Sequence, residues 1–131
     1  MVNKALVDCI ECYWDFVRVL RNKNIGFVEQ VIITTDQQNQ YMLKHKDNYK
    51  VCLFDNRPAG FIGVVDNDIR FAVAQQYKNK GVGKWMLQQF PVPKNTIGKV
   101  KKDNLYSRQL FLSCNWTEIA SNSKDFYMFK K

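Results

Sequence analysis

The residues best suited to chemistry lie mid-chain, where Lys78-Asn79-Lys80-Gly81-Val82-Gly83-Lys84 sets two glycines one residue apart among three lysines. An apolar run, Asp68 to Ala74, precedes them, and the helical spacing of Val82, Trp85, Met86 and Phe90 follows. The start of a helix presents backbone amides without intrahelical acceptors and about half a positive charge, so it attracts phosphate. Glycine lets a ligand approach the backbone, and the flanking lysines favour a polyanion such as a pyrophosphate. Two other phosphate loops are excluded by single residues. A P-loop needs Ser or Thr after its Gly-Lys, but Trp85 follows Lys84, and a dinucleotide fingerprint needs a third glycine where Met86 stands. A bare Gly-x-Gly also serves as a simple turn into a helix, so the surrounding elements must decide.

Apolar residues at Leu6, Cys9, Ile10, Tyr13, Phe16, Val17 and Leu20 predict a first helix over Ala5 to Leu20. Phe27 to Thr34 reads as a short strand or an extended loop. Thr35 and Gln38 have the form of a capping box, which predicts a second, sparsely apolar helix over Asp36 to Lys46. Three strands follow, Tyr49 to Phe54, Ala59 to Val65 and Asp68 to Ala74, joined by turns at Asn56-Arg57-Pro58 and Asp66-Asn67. The helix from Val82 stops at Pro91 and Pro93, and Thr96 to Lys101 makes a further strand. Asp103 caps a helix carrying Leu105, Tyr106, Leu110, Phe111 and Cys114, and Thr117 to Ala120 pairs with Asp125 to Lys130. The reading is one α+β domain over residues 1–131, three-layered, with a mixed, mostly antiparallel central sheet flanked by helices.

In that setting, Val73 to Lys84 resembles the signature of the GNAT N-acetyltransferase superfamily: Gln or Arg, two residues, Gly, one residue, then Gly or Ala. Lys78 stands where the family usually has Arg or Gln and keeps the charge. Downstream, Asn104-Leu105-Tyr106-Ser107-Arg108-Gln109-Leu110-Phe111 and Cys114-Asn115-Trp116 are similar to the family's helix-and-turn pattern of Asn, a small residue, Leu-Tyr and Gly-Phe, with Asn115-Trp116 replacing Gly-Phe. The resemblance covers essentially the whole chain and is strongest from Pro58 to Trp116. It implies a GNAT-like sheet with a splayed strand pair at the acyl-CoA site. It also implies acetyl-CoA as cosubstrate, no metal, and direct acetyl transfer to the primary amine of a small acceptor.

The resemblance places Phe71, Ala72 and Val73 along the pantetheine arm and Lys78, Asn79, Lys80, Gly81, Val82, Gly83 and Lys84 around the pyrophosphate. Asn104, Ser107 and Phe111 fall on the cofactor side of the penultimate helix, although Asn104 also suits a helix cap. An amine of pKa about 10.4 is protonated at pH 7, and removing its proton costs about 4.6 kcal/mol, so transfer needs a base. Asp68 matches the position where many members carry Glu, and it equally suits a turn aspartate bonding its own backbone. The tyrosine that commonly protonates the leaving thiolate matches Phe111, which has no proton to give. Tyr106 and Cys114 are alternative donors on the same helix, or simple packing residues. Acceptor recognition would fall to Arg21, Asn22, Glu29, Tyr41 and His45. Leu20-Arg21-Asn22 with Thr34-Thr35-Asp36-Gln37-Gln38 is faintly similar to members acting on nucleotide-linked amino sugars.

Twenty basic against twelve acidic residues give a net charge of +8, which favours an anionic partner. A catalytically degenerate acyl-CoA binder and a basic RNA-binding module are the alternatives; the second lacks an RNA-recognition motif with paired aromatics. Cys9-Ile10-Glu11-Cys12 has metal-ligand spacing, but no second pair accompanies it and His45 is the single histidine. With Cys52 and Cys114, the cysteines read as reduced thiols of a cytoplasmic protein. Lys4, Asp8, Glu11, Asp15 and Arg18 interrupt the N-terminal apolar stretch, which fits neither a signal peptide nor a membrane span. The expected assembly is a monomer or homodimer with no membrane partner.

Overall fold

Lys4–Asp8 forms a strand, β1, and not the first turns of a helix. It pairs antiparallel with β2 (Tyr49–Phe54), from Lys4 opposite Phe54 to Asp8 opposite Lys50. Five residues with two large apolar side chains carry too little local pattern to reveal this; the partner some 45 positions away decides it. A single 3₁₀ turn, Glu11–Tyr13, then leads into α1 (Trp14–Lys23), with the Trp14 indole N–H donating to the Cys9 carbonyl at 3.0 Å to fix the corner. The computed structural model describes residues 3–23, 32–121 and 123–131. Most of the Phe27 to Thr34 segment therefore lies outside the described residues.

The second helix, α2, spans Thr35–His45, and its capping box sits one residue earlier than the pattern suggested. Thr34 is the N-cap: its hydroxyl accepts from the Gln37 amide at 3.2 Å, and the Gln37 side chain accepts from the Thr34 amide at 2.9 Å. Gln38, expected to close the box, is instead buried and donates to the Trp14 carbonyl at 3.1 Å, tying α2 to α1.

A meander of β2, β3 (Arg57–Val65) and β4 (Asp68–Val73) follows. Its turns are two-residue hairpins with left-handed backbone at both positions, Asp55-Asn56 and Asp66-Asn67. Arg57 and Pro58 thus belong to β3, not to the turn. The proline is accommodated because the β2–β3 register shifts beside it, between Cys52 and Leu53. Next come α3 (Val82–Gln89), β5 (Ile97–Lys101), α4 (Leu105–Ser113), β6 (Thr117–Ile119) and β7 (Phe126–Lys130). The sheet has seven strands in the order β1-β2-β3-β4-β5-β7-β6, all antiparallel except β4 with β5. Residues from α1 and α2 pack on one face with Tyr49, Val51, Phe61 and Ala72. Residues from α3 and α4 pack on the other with Ile62, Ile69, Val73, Val100 and Phe129. The three-layer α+β reading holds, with β1 added. Among the described residues, no helix is long and apolar enough to cross a membrane.

Candidate acyl-CoA groove

The parallel pair β4–β5 registers at one position only, Asp68 opposite Ile97, supported by the Ile97 amide donating to the Asn67 carbonyl at 2.7 Å. From that vertex the strands diverge, and among the described residues no further β4 position is in register with β5. A strand edge inside a domain offers unpaired backbone groups to whatever enters the gap. A groove of about 380 Å³ opens there, lined by Phe71, Ala72 and Val73 of β4, by Gln75, Lys78 and Asn79 of the following loop, and by Asp103, Asn104, Tyr106 and Ser107 at the start of α4.

The loop that ends the groove turns through Asn79 (φ 64) and Gly81 (φ 79), and Gly81 is the N-cap of α3. The first helical bond runs from the Trp85 amide to the Gly81 carbonyl at 3.0 Å, so the first-turn amides have no helical acceptor. The two glycines do different work. A Cβ on Gly81 would meet nothing within 4 Å, and its left-handed backbone is what glycine supplies at no steric cost. A Cβ on Gly83 would stand 2.9 Å from Leu110 Cδ1, 3.5 Å from the Tyr106 hydroxyl and 3.6 Å from Val73 Cγ2. Gly83 thus sits where α3 packs closely on α4, against the flexible end of Leu110, and Gly81 is the one of the two that clears space at the helix mouth. The lysines at 78, 80 and 84 are exposed around it, while the Val82 side chain is buried in the core.

Phe111 lies behind the groove, not on its lining. It is 2% exposed, stacks on Phe129 with centroids 5.0 Å apart, and meets Phe71 and Trp116 edge-on at 5.6 and 4.9 Å. Its ring tip covers Gly98 of β5, where a Cβ would fall 2.5 Å from the para carbon. The ring thus packs against both diverging strands, at Phe71 of β4 and Gly98 of β5. Asn104, not Asp103, caps α4: its side chain accepts from the Ser107 amide at 3.2 Å and donates to the Ser107 hydroxyl at 3.0 Å. Asp103 instead joins the groove lining, as does Gln75. Gln75 carried no sequence signal beyond its place next to a motif, and Asp103 only that of a helix cap.

Asp68 and Tyr106, the two candidates for proton transfer, stand at opposite ends of β4. Asp68 is at the vertex, with Arg70 Nε 3.6 Å away, whereas Tyr106 meets Gly83 beside Val73. Five residue steps along the strand separate those ends by roughly 16 Å. Burial raises the Tyr106 hydroxyl above its ordinary pKa of 10. Cys114 faces α3, its thiol 3.8 Å from the Lys84 carbonyl.

On the other face, Arg21, Tyr41 and His45 gather. The Arg21 guanidinium lies 5.7 Å over the Tyr41 ring, the His45 ring meets the same ring tilted by 41° with centroids 4.6 Å apart, and the Tyr41 and Tyr49 hydroxyls share a hydrogen bond of 2.7 Å. Burial, with Tyr41 beside it, pushes the Tyr49 hydroxyl pKa far up. Asn22 stands apart in role: its side chain exchanges hydrogen bonds of 3.0 and 2.9 Å with the backbone of Ile33, so both ends of its amide fasten α1 to the approach of α2. Glu29 lies outside the described residues. Among those residues, no group of three or more His, Cys, Asp or Glu side chains is placed to hold a metal ion.

Similar folds appear among solved structures. The chain superposes on a ribosomal-protein-alanine N-acetyltransferase from Brucella melitensis with a TM-score of 0.76 at 12% identity, covering 100% of this chain and 98% of that one. A spermidine N-acetyltransferase from Vibrio cholerae, in complex with CoA and spermine, gives 0.75 at 14% identity over 98% and 92%. A GNAT-family acetyltransferase from Streptococcus pneumoniae gives 0.69 at 13% over 98% and 97%. The sequence matches no family model and no curated protein. The chain has the GNAT fold, including the splayed β4–β5 pair.

Proposed function

We propose that this protein is an acetyl-CoA-dependent N-acetyltransferase that acts directly on a primary amine. The observation that carries the reading is the groove itself: an unpaired strand edge leads from the β4–β5 vertex to a glycine-capped helix start ringed by lysines. Its parts fit the parts of acetyl-CoA. A pantetheine arm carries amides that pair with an open strand edge, here Phe71 to Val73, and a pyrophosphate suits the first-turn amides of α3 with the charge of Lys78, Lys80 and Lys84. The space left by Gly81 admits the phosphate to the backbone. Structural neighbours include acetyltransferases crystallised with CoA or acetyl-CoA, which supports the same cosubstrate here.

Acetyl-CoA supplies a thioester: the acceptor nitrogen bonds to its carbonyl carbon, the C–S bond breaks with its electron pair going to sulfur, and the amine loses a proton. Asp68 is the residue at the vertex able to take that proton, directly or through water, and Arg70, with Nε 3.6 Å away, orients its carboxylate. Tyr106, at the far end of β4, is better placed to steady the cofactor arm than to protonate the thiolate. A thiol of pKa near 8.5 leaves tolerably without help. Thermal unfolding with and without acetyl-CoA tests binding, and thiol release over a panel of amines tests transfer. No stabilisation at millimolar acetyl-CoA refutes the proposal; stabilisation without thiol release for any amine identifies a non-catalytic acyl-CoA binder.

A further inference from the structure

Among the described residues, α1 and α2 cover their side of the sheet over β2, β3 and β4. Over β5, β7 and β6 the alternation is fixed by the opposite face: Val100 and Phe129 are buried under α4, and Gly98 meets Phe111. Ile97, Lys99 and Lys101 of β5 therefore point the other way, as do their register partners Lys130, Met128 and Phe126. The Lys99 ammonium lies 5.9 Å over the Phe126 ring, which confirms that the two share this face. Lys130 is paired to Ile97, the residue opposite Asp68 at the vertex, so the cationic strip begins where transfer would occur. With Arg70, the face carries four cations, and Asp68 is the acidic side chain the β4, β5 and β7 registers place on it.

From this face we infer that the acceptor amine is carried by an acidic polypeptide segment, a specificity that rests on the acetyltransferase reading above. Three features favour a peptide. Among the described residues, the surface is a sheet of three adjacent strands with no helix packed over it, not a concave small-molecule pocket. Lys99 and Lys101 are spaced about 7 Å apart along β5, the spacing of side chains two residues apart in an extended chain. Half-buried Ile97, Met128 and Phe126 lie between the lysines, offering apolar contact to the residues between the acidic ones. A polyamine would be repelled by the same charges. Phe126 alone supplies an aromatic ring among these β5 and β7 positions, which is poor support for stacking RNA bases.

The test uses the full chain saturated with CoA and fluorescein-labelled extended peptides that alternate Glu with Val, or Lys with Val, followed by fluorescence anisotropy. The Glu peptide is expected to bind more tightly than the Lys peptide, and to weaken as salt rises from about 50 to about 500 mM. The Lys99→Glu/Lys130→Glu variant should bind it about tenfold more weakly, whereas Lys4→Glu, at the far edge of the sheet, should not change it. Equal binding of the two peptides, unchanged binding in the double variant, or tighter binding of a uridine oligonucleotide or a nucleotide-linked amine overturns the inference. Peptide binding without stabilisation by acetyl-CoA would sink the acetyltransferase reading and leave the docking face; the reverse result would do the opposite.

Discussion

Substituting the two glycines of the loop separately distinguishes a phosphate cradle from a helix-packing turn. Gly81 has a φ of 79°, where an L residue costs about 1–2 kcal/mol, and its missing side chain borders open space. Gly81→Ala should lower the melting temperature by about 3–8 °C at this chain length. It should also weaken acetyl-CoA about tenfold, shrinking the ligand-induced stabilisation by about 1.4 kcal/mol out of the roughly 2.7 kcal/mol expected at a hundredfold excess over Kd. Gly83 has helical backbone, so Gly83→Ala gains up to about 1 kcal/mol of helix propensity. Against this stands a 2.9 Å approach to Leu110 Cδ1, the mobile end of a flexible side chain. The net effect should lie within about 1 kcal/mol, with the acetyl-CoA shift retained. Gly83→Val, whose added methyls reach Tyr106 and Val73, should destabilise by about 1–3 kcal/mol. Thermal unfolding of the three variants with and without acetyl-CoA reads all of these quantities. A Gly83→Ala variant that keeps its stability but loses the ligand shift, beside a Gly81→Ala variant that retains it, would refute the division of labour.

Thr34→Ala should cost about 1 kcal/mol and Thr35→Ala much less, read from urea midpoints; equal costs would put the cap in the wrong register. Gly98→Ala drives a methyl into a Phe111 ring already held by Phe71, Trp116 and Phe129, and should destabilise by about 1–3 kcal/mol; a neutral result would show that the ring can move. Burial pushes the Cys9 and Cys52 thiols from 9.0 up to about 11. The folded chain then holds protons that the unfolded chain has released, so stability falls as pH rises from about 9 through 11. The fall in urea midpoint over that range should be shallower in a Cys9→Ala/Cys52→Ala variant, and equal slopes would exclude the thiols as its source.

Local pattern located α3, α4, the β2–β4 meander and the closing hairpin, because each is specified by residues within one element: helical spacing at Val82, Met86 and Phe90, and Asx-rich pairs such as Asp66-Asn67 that tolerate left-handed backbone. The glycine loop and its resemblance to the GNAT signature were legible for the same reason. Where the pattern misled, a distant partner had overridden it. Leu6 fits a helical stripe with Cys9 and Ile10, yet β2 captures it in β1 opposite Cys52. Gln38 fits a capping box, yet a buried hydrogen bond to Trp14 claims it while Thr34 and Gln37 close the box one residue earlier.

The local form of the middle of the chain was thus set by the sequence: two glycines, their lysines and the strand before them specify a left-handed turn into a helix start ringed by cations. Tertiary structure decided what each residue does there. Gly83 lies against the Leu110 side chain, Phe111 packs behind the splay on Phe71 and Gly98, and Asp68 and Tyr106 are held at opposite ends of β4. The basic face of β5 and β7 arises because Lys99 and Lys130 lie 31 positions apart in sequence and share a face only through strand register, which depends on long-range pairing that no local spacing encodes.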